Sequence, residues 1–175
     1  IETVLQQAKY WNTERSLRIA VNLSPQILMD PDFIKNMDRI IGDKDNGKYL
    51  TFEITENLFL SEYESLSGVL EYVCNLGVHL SIDDYGTGYS SLSRLIKLPV
   101  NEIKIDKSFV KNVDTNKDDE AVVRSTIDLA HNLGLTVVGE GVADEAARNV
   151  LRKYNCDIAQ GNVLRRALSA AEFER

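Results

Sequence analysis

Six short runs of aliphatic and β-branched residues recur along the chain, at 17–23, 50–55, 78–83, 102–106, 136–140 and 157–160, each followed by a stretch with helical periodicity. Such alternation is the mark of βαβ units, in which parallel strands are joined by crossover helices. The opening stretch IETVLQQAKYWN reads as an amphipathic helix with no strand before it, and the first residue is Ile1 rather than Met. A fragment of a larger fold is therefore expected. With 175 residues, 43% of them apolar, and no Pro/Gly/Ser-rich linker, residues 1–175 are expected to share one domain core.

The helical stretches carry ordinary punctuation. Ser61 with Glu64 predicts a capping box, Leu66, Val69, Leu70 and Val73 an apolar face, and Gly77 a stop. Asp118 and Asp119 open a second helix whose Val122, Thr126, Leu129, Ala130 and Leu133 share a face, with Gly134 at its end. Tyr10, Trp11 and Phe33 fit apolar helix faces and are expected in the core. His79 falls at a strand start and His131 inside a helix, so both are expected to be structural.

Six units fit either a doubly wound sheet or a (β/α)8 barrel without its first two βα units. The polar residues of the strands favour the barrel. Residues two apart in a strand share a face, which groups Arg18, Ala20 and Asn22, then Thr51, Glu53 and Thr55, then Lys104 and Asp106. Unpaired charges in a dry interior are too costly to scatter, so these groups need one another, water or a metal. The C-terminal rim of a barrel supplies that shared, open place. Asn22, Glu53, Asp83, Lys104, Glu140 and Gln160 follow one another at separations of 31, 30, 21, 36 and 20 residues, one polar residue per strand end.

Glu53, Asp83, Asp84 and Glu140 with Asn22 form an oxygen-only donor set, which suits a hard cation such as Mg2+ or Mn2+ better than zinc. Ions of that kind activate water and neutralise a phosphodiester, and two of them can flank an in-line displacement. Lys104 then suits the attacking water or a phosphate oxygen. The net charge of −7 argues against a nucleic-acid polymer as partner. Cys74 and Cys156 are far apart in sequence, with no CxxC pair or Cys/His cluster, and a reducing cytoplasm fits best. No apolar run approaches the roughly 18 residues of a membrane span, so no membrane contact is expected in this segment, whatever anchors a parent protein elsewhere.

These residues sit in strings that resemble the ordered motifs of EAL domains: VNLSP at 21–25, FEITE at 52–56, DDYGTGYSSL at 83–92, KIDKSFV at 104–110, EGV at 140–142 and QG at 160–161. The resemblance covers essentially the whole chain, and the Asp-Asp-aromatic-Gly-Thr-Gly-Tyr-Ser-Ser string is its most specific part. It implies a TIM-like barrel that hydrolyses the bacterial second messenger cyclic di-GMP to linear pGpG with Mg2+ or Mn2+. By that resemblance Asn22, Glu53, Asp83 and Glu140 are metal ligands and Asp84 serves a second ion. Lys104 orients the nucleophilic water, Asp106, Gln160 and Asn22 stand on the substrate side, and Glu56 steadies the loop that follows Asp84. That loop, 85–91, carries Gly86 and Gly88, whose backbones are free of Cβ restrictions; in the family it joins dimer contacts to metal binding. Homodimerisation, and fusion to sensory or GGDEF domains, are implied for the parent protein.

The sequence also departs from the family pattern. The Glu-Ala-Leu motif, whose glutamate is a metal ligand, and a nearby substrate-holding arginine would lie before Ile1; 175 residues alone would form an open barrel with impaired metal and nucleotide binding. Ala143 stands where a second glutamate is common, Asn162 and Ala167 replace expected residues after QG, and Tyr85 replaces the commoner Phe. A different class of reading follows: a degenerate EAL module that binds cyclic di-GMP or a protein without cutting. An intact Glu-Ala-Leu glutamate in the parent favours the enzyme and a substituted one the sensor.

Overall fold

The computed structural model describes residues 1–13, 17–88, 92–97 and 99–174. They gather into two units, Ile1–Glu102 and Ile103–Arg175. The first unit runs α1 (Glu2–Trp11), β1 (Ile19–Asn22), α2 (Pro25–Leu28), α3 (Phe33–Ile40), α4 (Lys44–Gly47), β2 (Leu50–Thr55), α5 (Glu56–Ser61), α6 (Tyr63–Asn75), β3 (His79–Tyr85) and α7 (Leu92–Leu95). Its strands pair in parallel in chain order, with Asn22 opposite Glu53, Glu53 opposite Ser81, and Thr55 opposite Asp83. From Leu50 to Ile54 every residue of β2 is buried, as expected of a central parallel strand covered on both faces. Phe33 and Met37 of α3 and Leu66, Leu70 and Val73 of α6 are buried, and the two helices pack together. Gly47 is a close approach rather than a flexible point, since a Cβ there would lie 1.9 Å from the Leu76 carbonyl oxygen.

The second unit runs from β4 (Glu102–Ile105, whose first residue closes the preceding unit) through α8 (Lys107–Val110), α9 (Lys117–Asn132), β5 (Thr136–Gly139), α10 (Glu145–Lys153) and β6 (Ile158–Ala159) to α11 (Ala170–Phe173). β5 lies between β4 and β6, and its pairing with β6 is parallel. Asn116 caps α9 through the Asp118 and Asp119 amides, and Asp144 caps α10 through the Ala147 amide. Asp157 ties the unit together at the strand starts. Its Oδ2 accepts from the Val137 amide at 2.8 Å and faces His131 Nε2 at 3.0 Å, so the imidazole is a bracket between α9 and the sheet. In the first unit, His79 is half-buried, and burial with the nearby Arg18 guanidinium holds its pKa below the ordinary histidine value.

Several expectations change. Ser61 ends α5 instead of capping α6, whose N-cap Glu62 makes no side-chain cap bond. The chain is already helical before Ser61, because Thr55 Oγ1 accepts from the Leu58 amide at 3.4 Å and starts α5 directly after β2. In α9 the buried stripe is Val123, Thr126, Ile127 and Ala130, with Val122 and Leu129 only half-buried. Tyr10 is 63% exposed, Trp11 half-buried, and of the three aromatic residues only Phe33 is in the core. The strand at 102–106 stops at Ile105, because Asp106 becomes the N-cap of α8.

Cys74 and Cys156 are free, and burial is the main cause pushing each thiol up to about 11 from 9.0. A shift of that size lowers the thiolate fraction at pH 8 about 100-fold, so alkylation by iodoacetamide is expected to be slower than that of an ordinary thiol by the same factor. Labelling at the rate of free cysteine would contradict that upward shift. Among the described residues no helix is long and apolar enough to cross a membrane.

Candidate functional site

Parallel register partners point to the same side of a sheet, and so do residues two apart along one strand. The pairing of β1, β2 and β3 therefore sets Asn22, Glu53 and Ser81 in one row, with Thr55 and Asp83 in the next row toward the strand ends. Ile54 and Ile82 take the opposite, fully buried face. Asn22 is exposed, Glu53 is buried and Asp83 half-buried, so this face carries a dry acid beside groups open to solvent. Ser81, which no motif singles out, is fully buried on this face, and its Oγ has no hydrogen-bond partner among the described residues.

Beyond Asp83 the backbone turns sharply. Asp84 has φ 55°, a conformation that non-glycine residues seldom take. Its carbonyl oxygen accepts from Thr87 Oγ1 at 2.9 Å, and its carboxylate comes within 4.8 Å of that of Asp83. Two neighbouring acids so close repel one another unless a cation lies nearby.

Glu56, the first residue of α5, is fully buried. Its Oε2 accepts from the Gly86 amide at 2.8 Å and the Gly88 amide at 3.1 Å. A buried carboxylate is tolerable when such charge-assisted bonds replace water. Gly88 lies so close that a Cβ would sit 3.1 Å from the Glu56 carboxyl. The loop after Asp84 is thus strapped to β2 and α5 as far as Gly88. Positions 89–91 of the expected 85–91 loop lie outside the described residues.

In the second unit, Lys104 on β4 and Glu140 just after β5 form an ion pair at 2.7 Å, with side chains only 5% and 16% exposed. The Glu140 amide donates to the Ile105 carbonyl oxygen at 3.2 Å, so the strand pairing itself brings the two residues level. Asp106 is engaged locally: its Oδ1 accepts from the Ser108 amide at 2.9 Å and from the Ser108 hydroxyl. Gln160, at the exit of β6, donates its amide to the Gly139 carbonyl at 2.9 Å and accepts from the Val142 amide at 3.0 Å, while its side chain is exposed. Lys104, Glu140 and Gln160 therefore stand at successive strand ends of one unit, as Asn22, Glu53 and Asp83 do in the other.

The carboxylates and amide of the first unit offer oxygen donors, and the buried Ser81 hydroxyl adds an oxygen without a partner among the described residues. That chemistry fits a hard divalent cation and not a thiolate-seeking one.

Comparison with known proteins agrees with the motifs. The family model described as EAL domain matches residues 1–167. The phosphodiesterase of MucR, a Pseudomonas aeruginosa protein named as a bifunctional diguanylate cyclase/cyclic di-GMP phosphodiesterase, was solved in complex with c-di-GMP. It is 31% identical and superposes with a TM-score of 0.91 over 98% of this chain and 71% of that one. The EAL domain of Mycobacterium smegmatis DcpA is 35% identical, with a TM-score of 0.87 over 99% of this chain and 79% of that one. Klebsiella pneumoniae BlrP1, solved with manganese and cyclic di-GMP, is 27% identical, with a TM-score of 0.79 over 91% of this chain and 41% of that one. The chain spans about a quarter of the length of the curated relatives it matches, 24% and 25% of the first two. Its fold is accordingly the α/β, TIM-barrel-like fold of these structures, and the chain belongs to the EAL domain family.

Proposed function

We propose that residues 1–175 belong to a single EAL domain that hydrolyses cyclic di-GMP to linear pGpG in the cytoplasm, assisted by Mg2+ or Mn2+. The observation that carries this reading is the placement of Asn22, Glu53 and Asp83 on one sheet face in two adjacent rows, ending in the close Asp83 and Asp84 carboxylates. Asn22, Glu53, Asp83 and Glu140 are the ligands we assign to one cation, and Asp84 to a second. Bound there, such a cation would offset phosphodiester charge and lower the pKa of water.

The chain's own groups supply the rest. Lys104, stiffened by Glu140 in a nearly dry setting, presents an ammonium that can donate hydrogen bonds to an incoming water or to a phosphate oxygen. Glu140 keeps that ammonium oriented as well as offering an oxygen of its own. Glu56 acts at one remove by fixing the backbone of Gly86 and Gly88, and with it the turn at Asp84. Asp106, Gln160 and Asn22 are assigned to the substrate side; for Asp106 the oxygen bonded to Ser108 serves the α8 cap. The 85–91 loop is the proposed homodimer contact, and sensory or GGDEF domains are the proposed fusion partners, as the bifunctional name of MucR suggests.

Incubation of the full-length protein with cyclic di-GMP and Mn2+ tests the reading, with product resolved by ion-exchange chromatography. Stoichiometric linear pGpG that disappears when the metal is chelated is the expected result. Tight binding of intact cyclic di-GMP without product would instead assign the domain to sensing, a role compatible with Ala143 and Asn162 beside Glu140 and Gln160.

A further inference from the structure

We propose that Ser81 is a positioning residue for the cation site, its hydroxyl holding one buried water whose two protons are directed at the carboxylates of Glu53 and Asp83. The inference rests on the cation reading above, and it adds a residue that acts on the ion at one remove.

The Ser81 side chain is fully buried, and its Oγ has no hydrogen-bond partner among the described residues. The strands around it are dry: Leu80 and Ile82 on β3, and Phe52 and Ile54 on β2, are all buried. A hydroxyl enclosed in such a sheet loses its hydration, and buried polar atoms in folded proteins are nearly always paired with protein groups or ordered water. An alanine would occupy the same space without that cost. The hydroxyl therefore calls for a polar partner that the described residues do not supply.

Strand register says which groups that partner serves. Ser81 is opposite Glu53 on β2 and two residues before Asp83 on β3, so all three side chains leave the sheet on one face. Adjacent strands lie about 4.8 Å apart and alternate residues of one strand about 6.6 Å apart. Two hydrogen bonds in series through a water span about 5.6 Å, so a water on Ser81 Oγ reaches acids rooted at both positions. The proton count closes. The Ser81 hydroxyl donates its proton to the water, and the water donates one proton to each carboxylate, which gives it the usual three bonds of a buried water. Each carboxylate keeps further lone pairs for a cation. Donors arranged in this order fix the direction of both acids and soften their mutual repulsion before an ion arrives. The arrangement also predicts a sign: replacing an orphan hydroxyl by a methyl group is neutral or favourable, whereas removing the anchor of a bridging water weakens whatever the water holds.

The test places Ser81→Ala in the full-length parent and in its Glu53→Ala variant, and measures Mn2+ affinity by spin resonance of the free ion together with thermal unfolding of the metal-free proteins. Ser81→Ala is expected to weaken Mn2+ binding about tenfold in the parent. In Glu53→Ala it should cost no more than about threefold, because one of the two acids that the water orients is already gone. Metal-free Ser81→Ala should melt below the parent. Parent-like Mn2+ affinity in Ser81→Ala, an equal loss in the two backgrounds, or a melting temperature above that of the parent would overturn the role of Ser81 and leave the cation reading standing. No Mn2+ binding by the parent itself would overturn the cation reading and the role of Ser81 with it.

Discussion

Replacing Lys104 by alanine is expected to lower kcat for cyclic di-GMP by roughly 10²–10³-fold, the usual cost of removing one preorganised donor from a reacting phosphoryl or acyl centre. KM should move far less, because the hydrogen bonds proposed for Lys104 serve the attacking water and developing charge more than ground-state binding. The same change strands Glu140, whose partner at 2.7 Å disappears while its side chain stays mostly enclosed. Breaking a buried pair in this way costs about 3–5 kcal/mol, toward the low end here because Glu140 retains some solvent. Steady-state kinetics and thermal unfolding of the one variant separate the two roles. A lower melting temperature with unchanged kcat would reduce Lys104 to a structural residue.

The second large effect is expected at Glu56, far smaller in its direct contacts with any substrate. Glu56→Ala removes the acceptor for both the Gly86 and Gly88 amides at a fully buried position. Each charge-assisted bond is worth about 1.5–3 kcal/mol, so the loop should open locally while the core of Phe52, Ile54 and Ile82 holds. Asp84, kept at φ 55° by that turn, would then relax toward ordinary backbone and draw its carboxylate away from Asp83. Losses of metal affinity or turnover of about 10–100-fold are typical when a supporting residue of this kind is removed. Hydrogen exchange supplies the independent readout: the amides of Gly86 and Gly88 should lose protection in Glu56→Ala and keep most of it in Glu56→Gln, whose amide oxygen can still accept. Unchanged protection in the alanine variant would show that the strap carries no strain.

Much of this architecture could be read from residue order. The six strands were legible because each is a short aliphatic run, and the candidate site because charged side chains at their ends have no place in a simple sheet core. Glu53 and Lys104 illustrate the point: both are buried yet polar, and both sit where a strand reaches its rim. What was not legible depended on local competition among capping groups. Ser61 and Glu64 match a capping box on paper, but Thr55 had already started a helix six residues earlier. Asp106 looks like another strand-end acid until Ser108 is seen to claim it as a cap. Tyr10 fits an apolar periodicity but lies on the wet side of α1, and Val122 yields its expected place to Val123, because a stripe drawn on a helical wheel leaves its rotation against the sheet free by about one residue. Ser81 gave no sequence signal at all. A serine inside a strand is ordinary until register places it opposite Glu53 and on the same face as Asp83, with its hydroxyl unpartnered among the described residues.

The proposed function depends on strand-end oxygens holding a divalent cation, and Glu53 is the buried acid assigned to the middle of that arrangement. Titration of Mn2+ into the full-length protein, followed by the loss of the free-ion electron paramagnetic resonance signal, measures this without any substrate. The parent protein is expected to bind Mn2+, and Glu53→Ala to bind it at least about tenfold more weakly while remaining folded. Equal Mn2+ affinity in the two proteins would contradict the account.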